Sequence, residues 1–423
     1  MPRKRPHRTD NGNGTASRSR RGRTYDTAPV QERAFLVGLE HSAGRRESQM
    51  SAEESLRELG RLARTAGATV VGHARQRKHH PDPATYIGSG KVAEVQAARE
   101  STDYSVVIFD EQLSPAQQLR LESALEVKVL DRSALILDIF ASRARTREAS
   151  LQVELAQHEY LMPRLRGQWQ HLERLEGAMG SRGPGETQLE TDRRLIGARI
   201  SRLKKQIKTV RKQRSLHRRQ RERNGVPVVA LVGYTNAGKS SLMRALAGAD
   251  AFVADAPFAT LDTLTRRINV DGAPLLVTDT VGFIQKLPTQ LVSAFRATLE
   301  ELESADLLIH AVDVTSPAAE AQVATVLQTL DDLNLSHLPV MNVLNKADEL
   351  LLPAGRTPER EEDLAVLEVA NPTDDGDAIL VSALKGWGID ALRDRIIFEV
   401  LGERVLTAPE APPVAPPVEA GSA

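Results

Sequence analysis

Between Ala34 and Leu130, short apolar runs alternate with stretches whose apolar residues recur every three or four positions. Phe35-Leu36-Val37-Gly38-Leu39, Val70-Val71, Val106-Val107-Ile108-Phe109 and Val127-Lys128-Val129-Leu130 read as strands. Ser51-Ala52-Glu53-Glu54 is a capping box that opens a helix running to about Ala66. Lys91 to about Arg99 reads as a second helix, and Pro115 to Leu125, with proline near its start, as a third. This alternation predicts a small parallel α/β domain. The period then changes. Leu151, Leu155, His158, Met162, Leu165, Trp169, Leu172 and Leu175 repeat by four and three, a seam that Pro163 should kink. Leu189, Ile196, Ile200, Leu203, Ile207 and Val210 form a second seam. Joined by the glycine-rich stretch from Gly177 to Gly185, the two predict an antiparallel helical hairpin. From Val226 the strand–helix alternation returns.

Composition narrows the classes. The chain has 423 residues, 41% hydrophobic and 26% charged, as a soluble multidomain protein would. No cysteine is present, which removes disulfides, thiolate metal sites and thiol nucleophiles. No apolar run approaches a membrane span, and the basic N-terminus has no apolar segment behind it to make a signal peptide. The expectation is a cytoplasmic monomer with no membrane span. The formal net charge is zero, but the charge is segregated. Residues 1–31 are a basic, glycine- and serine-rich tail that cannot bury a core. It reads equally as a phosphate-binding arm or a solubilising tail. From Leu189 to Asn224 there are fourteen Lys and Arg against three acidic residues, more bias than a solvated face needs. Without interleaved aromatics, contact with nucleic-acid backbone is favoured over base stacking.

The chemistry concentrates after Val226-Val232. Gly233-Tyr234-Thr235-Asn236-Ala237-Gly238-Lys239-Ser240 is G-x-x-x-x-G-K-S between a predicted strand and the predicted helix that begins Ser241-Leu242. Glycines let backbone N–H groups close around phosphate oxygens, and the helix N-terminus adds partial positive charge. Lys239 is placed to reach the β- and γ-phosphates, and the Ser240 hydroxyl to ligate Mg²⁺. Asp279-Thr280-Val281-Gly282 follows the next apolar run: Asp279 would hold Mg²⁺ through water, and the Gly282 N–H would meet the γ-phosphate. Thr260, in Phe258-Ala259-Thr260-Leu261-Asp262, is the candidate for a mobile loop that ligates Mg²⁺ only with the γ-phosphate present. Asn345-Lys346-Ala347-Asp348 chooses the base, because the Asp348 carboxylate accepts from guanine N1–H and its amine, donors that adenine lacks. Asn345 would brace the loop, the Lys346 stem would pack along the base, and Ser382-Ala383-Leu384 would supply backbone near guanine O6. Four such motifs in order, each after an apolar strand, point to a GTPase. Phe283 stands where many GTPases carry a water-orienting glutamine, so another group must do that work. Asn236 carries a carbonyl that suits K⁺, which motivates the hypothesis of K⁺-stimulated hydrolysis. The candidate catalytic residues are therefore Lys239, Thr260, Gly282 and Asn236.

Two other loops stand out. Pro83 to Lys91, ending Gly88-Ser89-Gly90-Lys91, reads as a tight turn capping a helix or as a phosphate- or RNA-binding turn. His73, His79 and His80 lack metal-site spacing and read as surface residues.

Taken together, the chain resembles the HflX-type GTPases. The resemblance rests on Tyr86-Ile87-Gly88-Ser89-Gly90-Lys91, Leu113-Ser114-Pro115, Ala134 to Ala141, Leu151 to Gln157, Arg182 to Arg194, Phe258 to Asp262 and Asp279 to Phe283. It implies a P-loop G domain preceded by a small parallel α/β domain and an antiparallel helical hairpin. The boundaries expected are a tail at 1–31, the α/β domain at 32–145, the hairpin at 146–224 with its tip at 177–188, the G domain at 225–403 and a Pro/Ala-rich tail at 404–423. The resemblance further implies binding to the large ribosomal subunit, its rRNA and proteins, with GTP-bound protein splitting or rescuing stalled ribosomes. The alternative is a large-subunit binding or assembly factor that does not split. The tip residues Arg182, Gly183, Pro184, Gly185 and Glu186 would point toward the peptidyl-transferase region, and Arg193, Arg194, Lys204 and Lys205 are the candidate RNA contacts. Thr263 departs from the family's usual proline, and the glycine run before Arg182 is short.

Overall fold

The structure is a computed structural model. It describes residues 31–41, 50–165, 184–223, 225–248, 257–258, 264–270, 273–286, 302–352, 356–367, 369, 371–373 and 378–407. Two parallel-type sheets form its frame. The first takes β1 (Arg33–His41), β2 (Thr69–Lys78), β3 (Val106–Phe109) and β4 (Lys128–Asp131) in the order β2-β1-β3-β4, all parallel. The central strands are apolar on both faces, as a covered parallel sheet requires. Along β1, Phe35, Val37 and Leu39 point to one face, where α2 (Ser89–Thr102) and α3 (Pro115–Leu125) pack. Ala34 and Leu36 point to the other, toward α1 (Ala52–Thr65) and α4 (Arg132–Arg143). The expected capping box is present on α1: Glu54 N–H donates to Ser51 Oγ at 3.1 Å and Ser51 N–H to Glu54 Oε2 at 2.8 Å. The Gly88 turn caps α2, its N–H donating to Gln76 Oε1 at 2.8 Å.

Helix α5 (Arg147–Leu161) is interrupted by a turn at residues 162–164, which contains Pro163; Trp169, Leu172 and Leu175 lie outside the described residues. Helix α6 (Pro184–Arg223) packs on α5 through Leu155, Leu203 and Ile207. Arg199 pairs with Glu154 and Lys204 with Glu159, so these two helices run in the same direction where they touch, not as the antiparallel hairpin that the two seams predict. Helix α6 begins inside the stretch expected to be an open tip, with proline at its first position, where a missing N–H costs nothing. The root of this arm is tied to the first sheet. Arg164 donates to Asp131 Oδ2 at 3.0 Å, to the Leu113 and Tyr160 carbonyls and to Gln118 Oε1, and Tyr160 Oη donates to Asp131 Oδ1 at 2.9 Å.

The second sheet has β5 (Val228–Gly233), β6 (Leu264–Val270), β7 (Ala273–Asp279), β8 (Leu307–Asp313), β9 (Val340–Asn345) and β10 (Ile379–Leu380), ordered β10-β9-β8-β5-β7-β6. Only β6 runs antiparallel to its neighbour. One face is covered by α7 (Lys239–Ala247) and α9 (Ile389–Thr407). The other carries α8 (Ala319–Asp332), and its apolar cluster is continuous with the one under α1 and α4 of the first sheet. Phe140 on α4 meets Phe258 edge-on at 4.5 Å between ring centroids. The two sheets thus share a core.

Candidate functional site

Beyond the C-terminal ends of β5, β7 and β9 the chain makes three turns that face one another, the place where an open α/β sheet presents its ligand site. The first is the phosphate loop. Gly238 has φ +86°, and a Cβ there would stand 2.1 Å from Asn345 Nδ2, so both its backbone angle and its surroundings demand glycine. Lys239 is buried at the start of α7, its Nζ donating to the Tyr234 and Gly233 carbonyls at 2.9 and 3.1 Å. Burial lowers its pKa to about 8, with the Asp279 charge acting in the opposite direction. Ser240 Oγ donates to Asp279 Oδ2 at 2.6 Å. A hydroxyl and a carboxylate side by side are hard oxygen donors that suit Mg²⁺. Thr260, Leu261 and Asp262 lie outside the described residues.

The third turn braces the first. Asn345 Nδ2 donates to the Ala237 carbonyl at 2.9 Å, and Asn345 Oδ1 accepts from Ala383 N–H at 3.0 Å, so one side chain ties together the phosphate loop and two loops of the base site. Asp348 Oδ1 accepts from Ser382 Oγ at 2.6 Å. Lys346 has a positive φ of +69°, and its ammonium pairs with Asp313 at 2.7 Å. Ser241 lies in the first turn of α7, and Leu384 is exposed. Of the expected arm residues, Arg182 and Gly183 lie outside the described residues, while Pro184, Gly185 and Glu186 open α6. Arg193, Arg194 and Lys205 follow on the same helix, and Lys204 also pairs with Glu159 of α5 at 2.8 Å.

Three separate family models match in chain order: "GTP-binding GTPase N-terminal" over residues 53–141, "GTP-binding GTPase Middle Region" over 143–221 and "50S ribosome-binding GTPase" over 228–346. GTPase HflX of Caldanaerobacter subterraneus subsp. tengcongensis is 45% identical over 380 residues, covering 89% of this chain and 83% of that protein. The chain belongs to the HflX family of GTPases. GTPase HflX of Escherichia coli K12 is 44% identical over 327 residues, 77% of this chain and 75% of its own. Among solved structures, the SsGBP–GDP complex is 26% identical with a TM-score of 0.48, covering 88% of this chain and 99% of its own.

Against the HflX-family frame, sequence reasoning missed a buried network behind the phosphate loop. Tyr234 Oη donates to Glu58 Oε1 at 2.6 Å. Glu58 also pairs with the buried Arg132, and Arg132 donates to Asp110 Oδ1 at 2.7 Å. Asp110 and Arg132 follow directly on β3 and β4, and charged residues directly after apolar parallel strands were the available signal. Burial opposes the charge on Asp110, yet Arg132 and Lys286 hold its carboxyl below the ordinary range. The Tyr234 phenol is pushed up by burial and by the Glu58 charge, so it stays a donor. Phe283 is buried in the shared core.

Proposed function

We propose that this GTPase binds the large ribosomal subunit and, in its GTP-bound form, splits or rescues stalled ribosomes. One observation carries the reading: the phosphate loop, the Asp279 turn and the Asn345–Asp348 turn sit on the same frame as a 40-residue basic helix. The name of the G-domain family model, a 50S ribosome-binding GTPase, supports the choice of partner. The basic face of α6 meets rRNA phosphates, with Arg193, Arg194 and Lys205 as contacts and Lys204 shared with Glu159.

At the nucleotide, Lys239 turns from its two backbone carbonyls toward the β- and γ-phosphates. Asp348 accepts from the guanine edge while Ser382 fixes its rotamer. Ser240, Asp279 through water, and Thr260 would hold Mg²⁺, which neutralises phosphate charge when bound. The Gly282 N–H meets the γ-phosphate, and the Asn236 carbonyl takes K⁺. Phe283 is packed in the core and orients no water, so an outside group completes the hydrolytic site. The ribosome is the source this reading assigns. The protein acts in the cytoplasm as a monomer.

The deciding experiment is GTP hydrolysis with and without purified large subunits, with ATP as control. Stimulation specific to GTP supports the reading, and light scattering of intact 70S particles then separates splitting from binding alone. A slow rate indifferent to subunits moves the partner elsewhere. Equal rates in K⁺ and Na⁺, unchanged by Asn236→Ala, remove K⁺ from the site.

A further inference from the structure

The segment after Asp279 is fastened at both ends. At its near end, Thr235 N–H donates to the Phe283 carbonyl at 2.7 Å, and Phe283 N–H donates to the Gly233 carbonyl at 3.0 Å. These two bonds lay Gly282 and Phe283 on the phosphate loop as a short parallel bridge. The fit is close: a Cβ on Gly282 would stand 2.9 Å from Thr235 Cγ2 and 3.0 Å from Lys239 Nζ. A γ-phosphate must fit between that ammonium and the Gly282 backbone. Triphosphate binding therefore requires the bridge to open, whereas a diphosphate leaves it in place.

At its far end the segment is tied to the phosphate loop by Gln285 and to the first α/β unit by Lys286. Gln285 N–H donates to Tyr234 Oη at 2.9 Å. Lys286 Nζ bonds Asp110 Oδ2 at 2.5 Å, Glu111 Oε1 at 2.7 Å and Ser55 Oγ at 3.2 Å. Lys286 also holds φ +57°, a left-handed conformation that is uncommon for a residue other than glycine. Arg132 holds the buried Asp110 from the other side at 2.7 Å.

We propose that Lys286, through Asp110 and Glu111, is a specificity-determining residue for the γ-phosphate: it holds residues 282–286 on the phosphate loop and weakens GTP binding relative to GDP. The proposal rests on the guanine-nucleotide reading of the site. Its logic is linkage, since a contact that exists in only one of two arrangements lowers affinity only for the ligand that needs the other.

The test is titration of the full-length chain with a fluorescent GDP and a fluorescent non-hydrolysable GTP analogue. Lys286→Ala should tighten the GTP analogue by roughly three- to tenfold and move GDP by less than about twofold. Lys286→Arg should keep the wild-type ratio. Glu111→Gln, which removes the more exposed partner, should shift the ratio the same way by less. An unchanged ratio in Lys286→Ala overturns the proposal, as does parallel weakening of both nucleotides, the sign of a merely structural lysine. If the wild-type chain binds neither nucleotide, the reading of the site itself fails.

Discussion

At the scale of single residues, the base site makes the sharpest prediction. Asp348 is oriented by Ser382 at 2.6 Å, and its remaining oxygen lone pairs are what guanine would use. Asp348→Asn replaces an acceptor with a donor, so GTP affinity should fall by about tenfold or more while xanthosine triphosphate, which carries a carbonyl in place of the amine, gains. Competition binding of the two nucleotides reads both changes at once. Phe283 makes a second prediction. Its ring is buried among Val281, Ile284 and the α4 cluster. Phe283→Gln should therefore bring no gain in kcat, and should cost about 2–4 kcal/mol of stability by leaving an amide and a gap in an apolar core. Restored hydrolysis in that variant would mean the side chain can swing out to the phosphate. The phosphate loop, Asp279 and Asn345-Lys346-Ala347-Asp348 were legible in the sequence because their chemistry is backbone-local and set by spacing. The burial of Phe283 was not, since only tertiary packing says where a ring goes once it is not a glutamine.

At the scale of elements, strand β8 carries a buried titratable group. His310 is 1% exposed and shares a hydrogen bond with Asn342 Oδ1 at 3.0 Å. Burial lowers its pKa to about 4 from 6.5, the Asn342 bond opposing and the Lys239 charge adding. The folded form therefore releases its proton where the unfolded chain still binds one. Stability from this residue is fully present above about pH 6.5 and is lost as pH falls toward 4, up to about 3 kcal/mol. Denaturant midpoints from pH 8 to 4.5 should show that slope, and His310→Gln should flatten it. The long helix makes a different prediction. Neutralising Arg193, Arg194 and Lys205 together should weaken large-subunit binding and reduce its log-log salt slope by about two units. An unchanged slope places the RNA face elsewhere. Two elements escaped the pattern reading for identifiable reasons. The run Leu135-Ile136-Leu137-Asp138-Ile139-Phe140 is apolar nearly throughout, and such a run does not separate helix from strand; it is α4. Strand β6 is an edge strand whose buried residues are only Ile268 and Val270, with Arg267 before them and Asn269 between them, too few to make a run.

At the scale of the whole molecule, the two α/β units with their parallel sheets follow from alternation and period, and the family comparison agrees on a GTPase. What the sequence did not disclose is that the sheets share one apolar cluster and one ionic network. Those contacts join residues such as Glu58 and Tyr234, 176 positions apart, for which no local pattern exists. The arm has its own consequence. Helix α6 has 40 residues, a rod about 60 Å long. An angular play of one degree at its root moves the far end by about 1 Å, and five degrees by more than the roughly 3.4 Å between successive nucleotides of a strand. The rod lies along α5, and three hydrogen bonds of Arg164, to Asp131, Gln118 and the Leu113 carbonyl, fasten the end of α5 to the first sheet as the mounting of a pointer. How stiffly they grip Asp131 and its neighbours sets how finely the distant end can be aimed.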